Sequence, residues 1–154
     1  MSTFIGKWIL ARIVKSALVF ERNAIDLYQR LKEKDIGGAL GGGLTHLLEE
    51  EELHWRILHE TAAGKLGRED LERAFREHLY AHLHEIQPLG PQALAELGGE
   101  LEEALKEERD TFVFYSNLRR SSRIPAVKKA FEVLAEMERE HVDILMKLLG
   151  RQSK

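Results

Sequence analysis

The sequence contains no cysteine. That absence excludes disulfides, a thiolate zinc site and any iron–sulfur or rubredoxin-type centre held by this chain, so electrons for redox chemistry must come from another molecule. Only three prolines occur, at 88, 91 and 125, and none interrupts a strongly periodic segment, so the chain reads as nearly all helix. Net charge is small as well, −3, with 23 basic and 26 acidic residues interspersed along the chain. A nucleic-acid binder usually shows a basic stripe that neutralises phosphates, so nucleic acid is not an expected partner. Long apolar runs are missing too. The N-terminal stretch comes nearest, with Phe4, Ile5, Trp8, Ile9, Leu10, Ile13 and Val14, but Lys7, Arg12 and Lys15 interrupt it and no small-residue cleavage site follows. This argues against a signal peptide and against a membrane span of ~20 nearly uncharged residues. A cytoplasmic protein is the expectation, with this segment covered in a homodimer interface rather than resting on a membrane.

What is present is a pattern written twice. Glu21, Tyr28, Glu51 and His54 recur as Glu108, Tyr115, Glu138 and His141, each displaced by 87 residues. Their surroundings keep the register: Ala17, Leu18, Arg22, Leu31, Leu47, Glu49, Ile57 and Leu58 correspond to Ala104, Leu105, Arg109, Leu118, Leu134, Glu136, Ile144 and Leu145. One offset held over so many positions marks an internal repeat. At 154 residues, 44% of them hydrophobic, the chain fits one domain, 1–154, large enough to bury a core. The repeat halves are about 14–63 and 101–150, with a crossover at about 64–90.

Each half predicts two helices. The first should start at Ser2 or Thr3, both good N-caps, and reach about Lys34, with a seam of Val14, Ala17, Glu21, Ala24, Tyr28 and Leu31. The second carries Leu44, Leu47, Glu51, His54 and Leu58 and stops near Gly64. The third begins around Pro91 and carries Leu101, Ala104, Glu108, Thr111, Tyr115 and Leu118. The fourth begins at Pro125, carries Phe131, Leu134, Glu138, His141, Leu145 and Leu148, and ends at Gly150. In every helix, polar residues occupy positions that the pattern reserves for core. On the crossover, Leu71, Phe75, Leu79 and Leu83 repeat every four residues and predict a fifth, shorter helix. The run Gly37, Gly38, Gly41, Gly42 and Gly43 has neither the strand nor the lysine of a phosphate loop and reads as a loose helix start or a close helix contact. His78, His82 and His84 read as a solvated face, with an exposed zinc site as the alternative. His46 and His59 have no counterpart in the repeat and read as structural or surface residues.

Unpaired carboxylates are almost never fully buried unless something compensates their desolvation, and a metal does so directly. A Glu-x-x-His spacing sets carboxylate and imidazole on one helical face, about 4.5 Å apart along the axis, so both can reach one metal pair. Two such motifs, Glu51/His54 and Glu138/His141, supply two imidazoles and two bridging carboxylates. Glu21 and Glu108 add one terminal carboxylate per metal. The four-glutamate run at 49–52 and the pair at 107–108 leave the register open, and the repeat favours Glu51 and Glu108. Four carboxylates match the charge of two divalent cations, and one imidazole among several oxygens suits iron or manganese. Tyr28 and Tyr115 lie two turns from the terminal ligands. There they either hydrogen-bond a carboxylate or relay a proton or electron, or serve as core tyrosines whose hydroxyls have found a partner.

With Glu21-x6-Tyr28, Glu51-Glu52-Leu53-His54, Glu108-x6-Tyr115 and Glu138-Arg139-Glu140-His141, residues 14 to 150 resemble the rubrerythrin branch of the ferritin-like superfamily. The resemblance implies an all-α, ferritin-like four-helix bundle of two repeated helix pairs, with an extra short helix on the crossover. It also implies two iron ions per chain, with manganese possible, held by Glu21, Glu51, His54, Glu108, Glu138 and His141. The implied activity is reduction of peroxide or dioxygen, or oxidation of ferrous iron, with a small oxidant and an external electron donor as partners. Iron storage and hydroxylation of a membrane-associated substrate are the alternatives. Thr111 stands where rubrerythrin proper offers a further glutamate, which brings the symmetric set closer to that of bacterioferritin.

Overall fold

In the computed structural model, residues 4–64, 73 and 86–151 are described. Among them are four α-helices and no strand: α1 (Phe4–Lys34), α2 (Gly41–Ala62), α3 (Pro91–Ser121) and α4 (Pro125–Leu148). Both later helices open on proline, which needs no hydrogen-bond acceptor in a first turn, and the residues before them, Gly90 and Ile124, are extended as a following proline requires.

The glycine run makes the turn between α1 and α2. The Asp35 carboxylate accepts hydrogen bonds from the Ala39 and Leu40 amides at 2.7 and 2.8 Å, and Gly38 sits at φ +70°. Only glycine adopts that conformation without strain. Gly42, in the first turn of α2, has open space around it and no such backbone requirement. Gly38→Ala should therefore cost about 1 kcal/mol, whereas Gly42→Ala should add about 0.5–1 kcal/mol through helix propensity. Urea unfolding of the two variants, with opposite shifts in midpoint, checks the assignment.

Three contacts orient the helices. Lys34 pairs with Glu100 at 2.5 Å, the Leu89 amide bonds the Leu148 carbonyl at 2.9 Å, and Gly43 faces Ile86. The C-termini of α1 and α4 and the N-termini of α2 and α3 therefore share one end. Hence α1 runs parallel to α4 and α2 parallel to α3, and the end of α2 and the start of α3 lie at opposite ends of the bundle. The extra helix expected from Leu71, Phe75, Leu79 and Leu83 lies outside the described residues, as do His78, His82, His84 and the expected caps Ser2 and Thr3.

Two apolar clusters fill the interior. One, towards the shared end, includes Leu27, Leu31, Leu44, Leu97 and Leu148; the other, towards the opposite end, includes Val14, Ala17, Leu58, Phe131 and Leu134. Between them lies a layer of buried acids and histidines. A substantial apolar core on both sides is what can hold such a layer away from water.

Candidate metal centre

Every helix contributes to this layer: Glu21 from α1, Glu51 and His54 from α2, Glu108 from α3, Glu138 and His141 from α4. All six are at most 2% exposed. Their donor atoms form two groups, each within 4.8 Å: Glu21, Glu51, His54 and Glu138 in one, and Glu51, Glu108, Glu138 and His141 in the other. Glu51 and Glu138 belong to both. The structure thus brings together all six residues singled out in the sequence, with the two Glu-x-x-His acids in the shared position.

Both imidazoles turn Nδ1 towards the carboxylates. His54 Nδ1 lies 3.2 Å from Glu21 and 3.1 Å from Glu138; His141 Nδ1 lies 3.3 Å from Glu51 and 3.5 Å from Glu108. The rings stack with centroids 5.1 Å apart. The tyrosines are engaged across the bundle rather than simply packed. Tyr28 donates its hydroxyl hydrogen to Glu108, and Tyr115 donates to Glu21 at 2.5 Å. Each tyrosine thereby holds the outer carboxylate of the opposite half.

Electrostatics divide the acids into two kinds. Burial, then the neighbouring Glu21 charge, pushes Glu51 well above the usual carboxylate range; burial, then Glu108 and Glu21, does the same to Glu138. Burial would raise Glu21 too and is the largest single influence, but the His54 charge together with hydrogen bonds from Glu51, His54 and Tyr115 outweighs it and holds Glu21 low. Glu108 is likewise held low against burial by the Glu138 carboxyl and by His141. Burial opposes charge on both histidines, yet Glu21 and Glu51 raise His54 to about 9, and Glu108 raises His141 to about 9. Burial, reinforced by Glu108 and Glu21 respectively, keeps Tyr28 and Tyr115 protonated and therefore donors.

The donor set fits a pair of divalent metal ions. Both oxygens of Glu51 and of Glu138 and the Nε2 atoms of His54 and His141 have no hydrogen-bond partner. Buried carboxylate oxygens without donors are costly, and cations bound between them would satisfy the acids. Four carboxylates balance two such ions.

The structure adds a neighbouring cluster that the repeat did not flag. His46 is buried, not on the surface, with Nε2 2.5 Å from Glu140 and 3.5 Å from Glu50. Glu50 also brings an oxygen within 4.8 Å of ring nitrogens on His54 and His141. The 87-residue offset puts Val133, Met137 and Leu53, all buried and apolar, where His46, Glu50 and Glu140 would recur. A search by repeat symmetry could not find the cluster; the four-residue spacing of His46 and Glu50 on one helix face was the available signal. His59 is exposed, its ring tilted against Trp55 with centroids 5.5 Å apart. Thr111 is buried with its hydroxyl on the Glu107 carbonyl at 2.9 Å, and supplies no further carboxylate.

Neither a curated protein nor a solved structure matches the chain. The Rubrerythrin family model does match, over residues 100–154, the stretch that holds Glu108, Tyr115, Glu138 and His141. That match, beside two buried four-residue clusters able to hold metal, is consistent with a rubrerythrin-like family of ferritin-like di-iron proteins.

Proposed function

We propose that the protein is a non-haem di-iron oxidoreductase of the rubrerythrin and ferritin-like type, which reduces peroxide or dioxygen or oxidises ferrous iron. The observation that carries this reading is the pair of overlapping clusters that share Glu51 and Glu138. Glu21 and His54 would complete one iron site, and Glu108 and His141 the other, in a bundle of two repeated helix pairs. Iron held by these residues would supply electrons to the oxidant, passing from ferrous to ferric; manganese would suit the same donors.

The chain's own residues set the conditions for that chemistry. The two apolar clusters exclude water from the layer, so charges there interact strongly. The outer acids keep their orientation through Tyr28 and Tyr115, whose protonated hydroxyls can also pass a hydrogen towards the site. Thr111 supplies no further carboxylate beside Glu108, which favours ferrous oxidation over peroxidase chemistry of the rubrerythrin type. Re-reduction requires an external donor, because the chain has no cysteine to hold a second iron centre.

Anaerobic loading with ferrous iron should saturate at two ions per chain, and dioxygen or peroxide should then raise near-ultraviolet absorption without any added cofactor. A loaded protein that remains spectroscopically silent under both oxidants would remove the oxidoreductase reading. Tyr28→Phe and Tyr115→Phe should retain both ions but oxidise or re-reduce more slowly. Rates equal to wild type would reduce the tyrosines to packing and orientation.

A further inference from the structure

Acidic and basic residues alternate along the chain, but the fold separates them. Trp8 precedes Glu21 by thirteen residues, as Pro125 precedes Glu138, and α1 runs parallel to α4. The first turns of α1 therefore lie level with the α3–α4 turn, about 20 Å from the acid and histidine layer at 1.5 Å per residue. Residues 4–20 contribute Lys7, Arg12 and Lys15 to this end, and residues 111–131 contribute Arg119, Arg120, Arg123, Lys128 and Lys129. Neither stretch contains a single acid; the acids beside them include Glu60, near the C-terminus of α2 at this end, and Glu132, which pairs with Lys129 at 3.8 Å. Half of the large apolar side chains exposed among the described residues sit among these cations: Trp8 is 54% exposed, Ile9 47% and Ile124 45%. The Arg12 guanidinium lies over the Trp8 ring at 5.0 Å.

We propose that this end of the bundle docks on an anionic lipid surface. Trp8, Ile9 and Ile124 would enter the headgroup region while Lys7, Arg12, Arg119, Arg120 and Arg123 meet lipid phosphates. The chemistry selects this occupant over the alternatives. A two-fold interface of this end with a second copy would set the same cations against one another with no acid from either stretch between them. Nucleic acid would satisfy the cations but not the exposed indole and isoleucines, whereas tryptophan with basic residues is the composition of a surface that rests in a lipid interface. Contact is peripheral: no helix among the described residues is long and apolar enough to cross a membrane.

The test uses the full chain with Trp55→Phe, which leaves Trp8 as its single indole. Vesicles containing phosphatidylglycerol should sediment the protein and shift Trp8 emission to the blue, at least roughly tenfold more effectively than phosphatidylcholine alone, with binding lost in high salt. Arg119→Glu/Arg123→Glu and, separately, Trp8→Ala/Ile9→Ala should each abolish sedimentation while metal content stays at the wild-type value. Arg123→Ser, a milder change, should weaken it should the double reversal fail to fold. Equal binding to both vesicle types, or none to either, overturns the proposal. So does tight binding of a duplex oligonucleotide without vesicle binding, or a dimer that Trp8→Ala/Ile9→Ala converts to monomer.

Discussion

Loading the metal-free protein with two divalent cations near pH 7 should release at least two protons. The count follows from the charge states of the empty layer. His54 and His141, raised to about 9, carry protons at neutral pH. Ligands must shed protons to bind metal, so two come from imidazolium, and Glu51 and Glu138, whose hold on protons is strengthened by burial and by Glu21 and Glu108, add to the release. Calorimetry in buffers of different ionisation enthalpy reads the number directly, and a release of one proton or none would overturn this description. Stability should follow the same logic. Groups raised in the folded state contribute stability that is complete below their ordinary values, 4.5 for Glu51 and 6.5 for the histidines, and that is lost as pH rises through the folded values. Glu21 and Glu108, held low, lose theirs as pH falls below 4.5. Metal-free protein should therefore be most stable around pH 5 and weaken towards pH 9. The metal-loaded form should gain over that range, by about 2.7 kcal/mol per site when free metal is a hundredfold above its dissociation constant. Melting curves with and without metal at both ends of the range test the sign.

Removal of a shared acid should cost more metal than removal of an outer one. Glu51 and Glu138 belong to both clusters, so Glu51→Ala or Glu138→Ala should take occupancy from two ions towards none. Glu21, His54, Glu108 and His141 each serve one cluster, and an alanine at any of them should leave about one ion, since loss of one of a site's few donors weakens binding by more than the 10–100-fold typical of an outer-shell change. Elemental analysis of protein loaded anaerobically separates the two classes. Glu51→Gln is the control for folding: it removes a buried acid without changing shape, so its metal-free form should melt no lower than wild type. Equal losses in all six positions would mean that no acid is shared.

These expectations were legible from the sequence because burying acids is costly. Glu21, Glu51, Glu108 and Glu138 fall at core positions of helices that otherwise carry leucine and alanine there, and the repeat chose Glu51 from a run of four glutamates. Helix starts at Pro91 and Pro125 were equally plain, because proline leaves little freedom about where a helix begins. Two features were hidden for physical reasons. His46, Glu50 and Glu140 meet only when α2 and α4 pack, and their counterparts in the other half are apolar, so the repeat concealed them. The basic end was hidden because its cations lie on segments more than a hundred residues apart in sequence, brought level by parallel helices.

The crossed tyrosines carry a last consequence. Tyr28 secures Glu108, and Tyr115 secures Glu21, so the tyrosine of each helix pair clasps the outer carboxylate of the other, which its own pair meets through histidine. A lone pair would have half the donors and no clasp. Only two helix pairs facing one another close the arrangement, so covalent linkage of the pairs sets the local concentration of each for the other. Cleavage between α2 and α3 should leave two fragments that remain weakly structured apart and assemble mutually when metal is supplied.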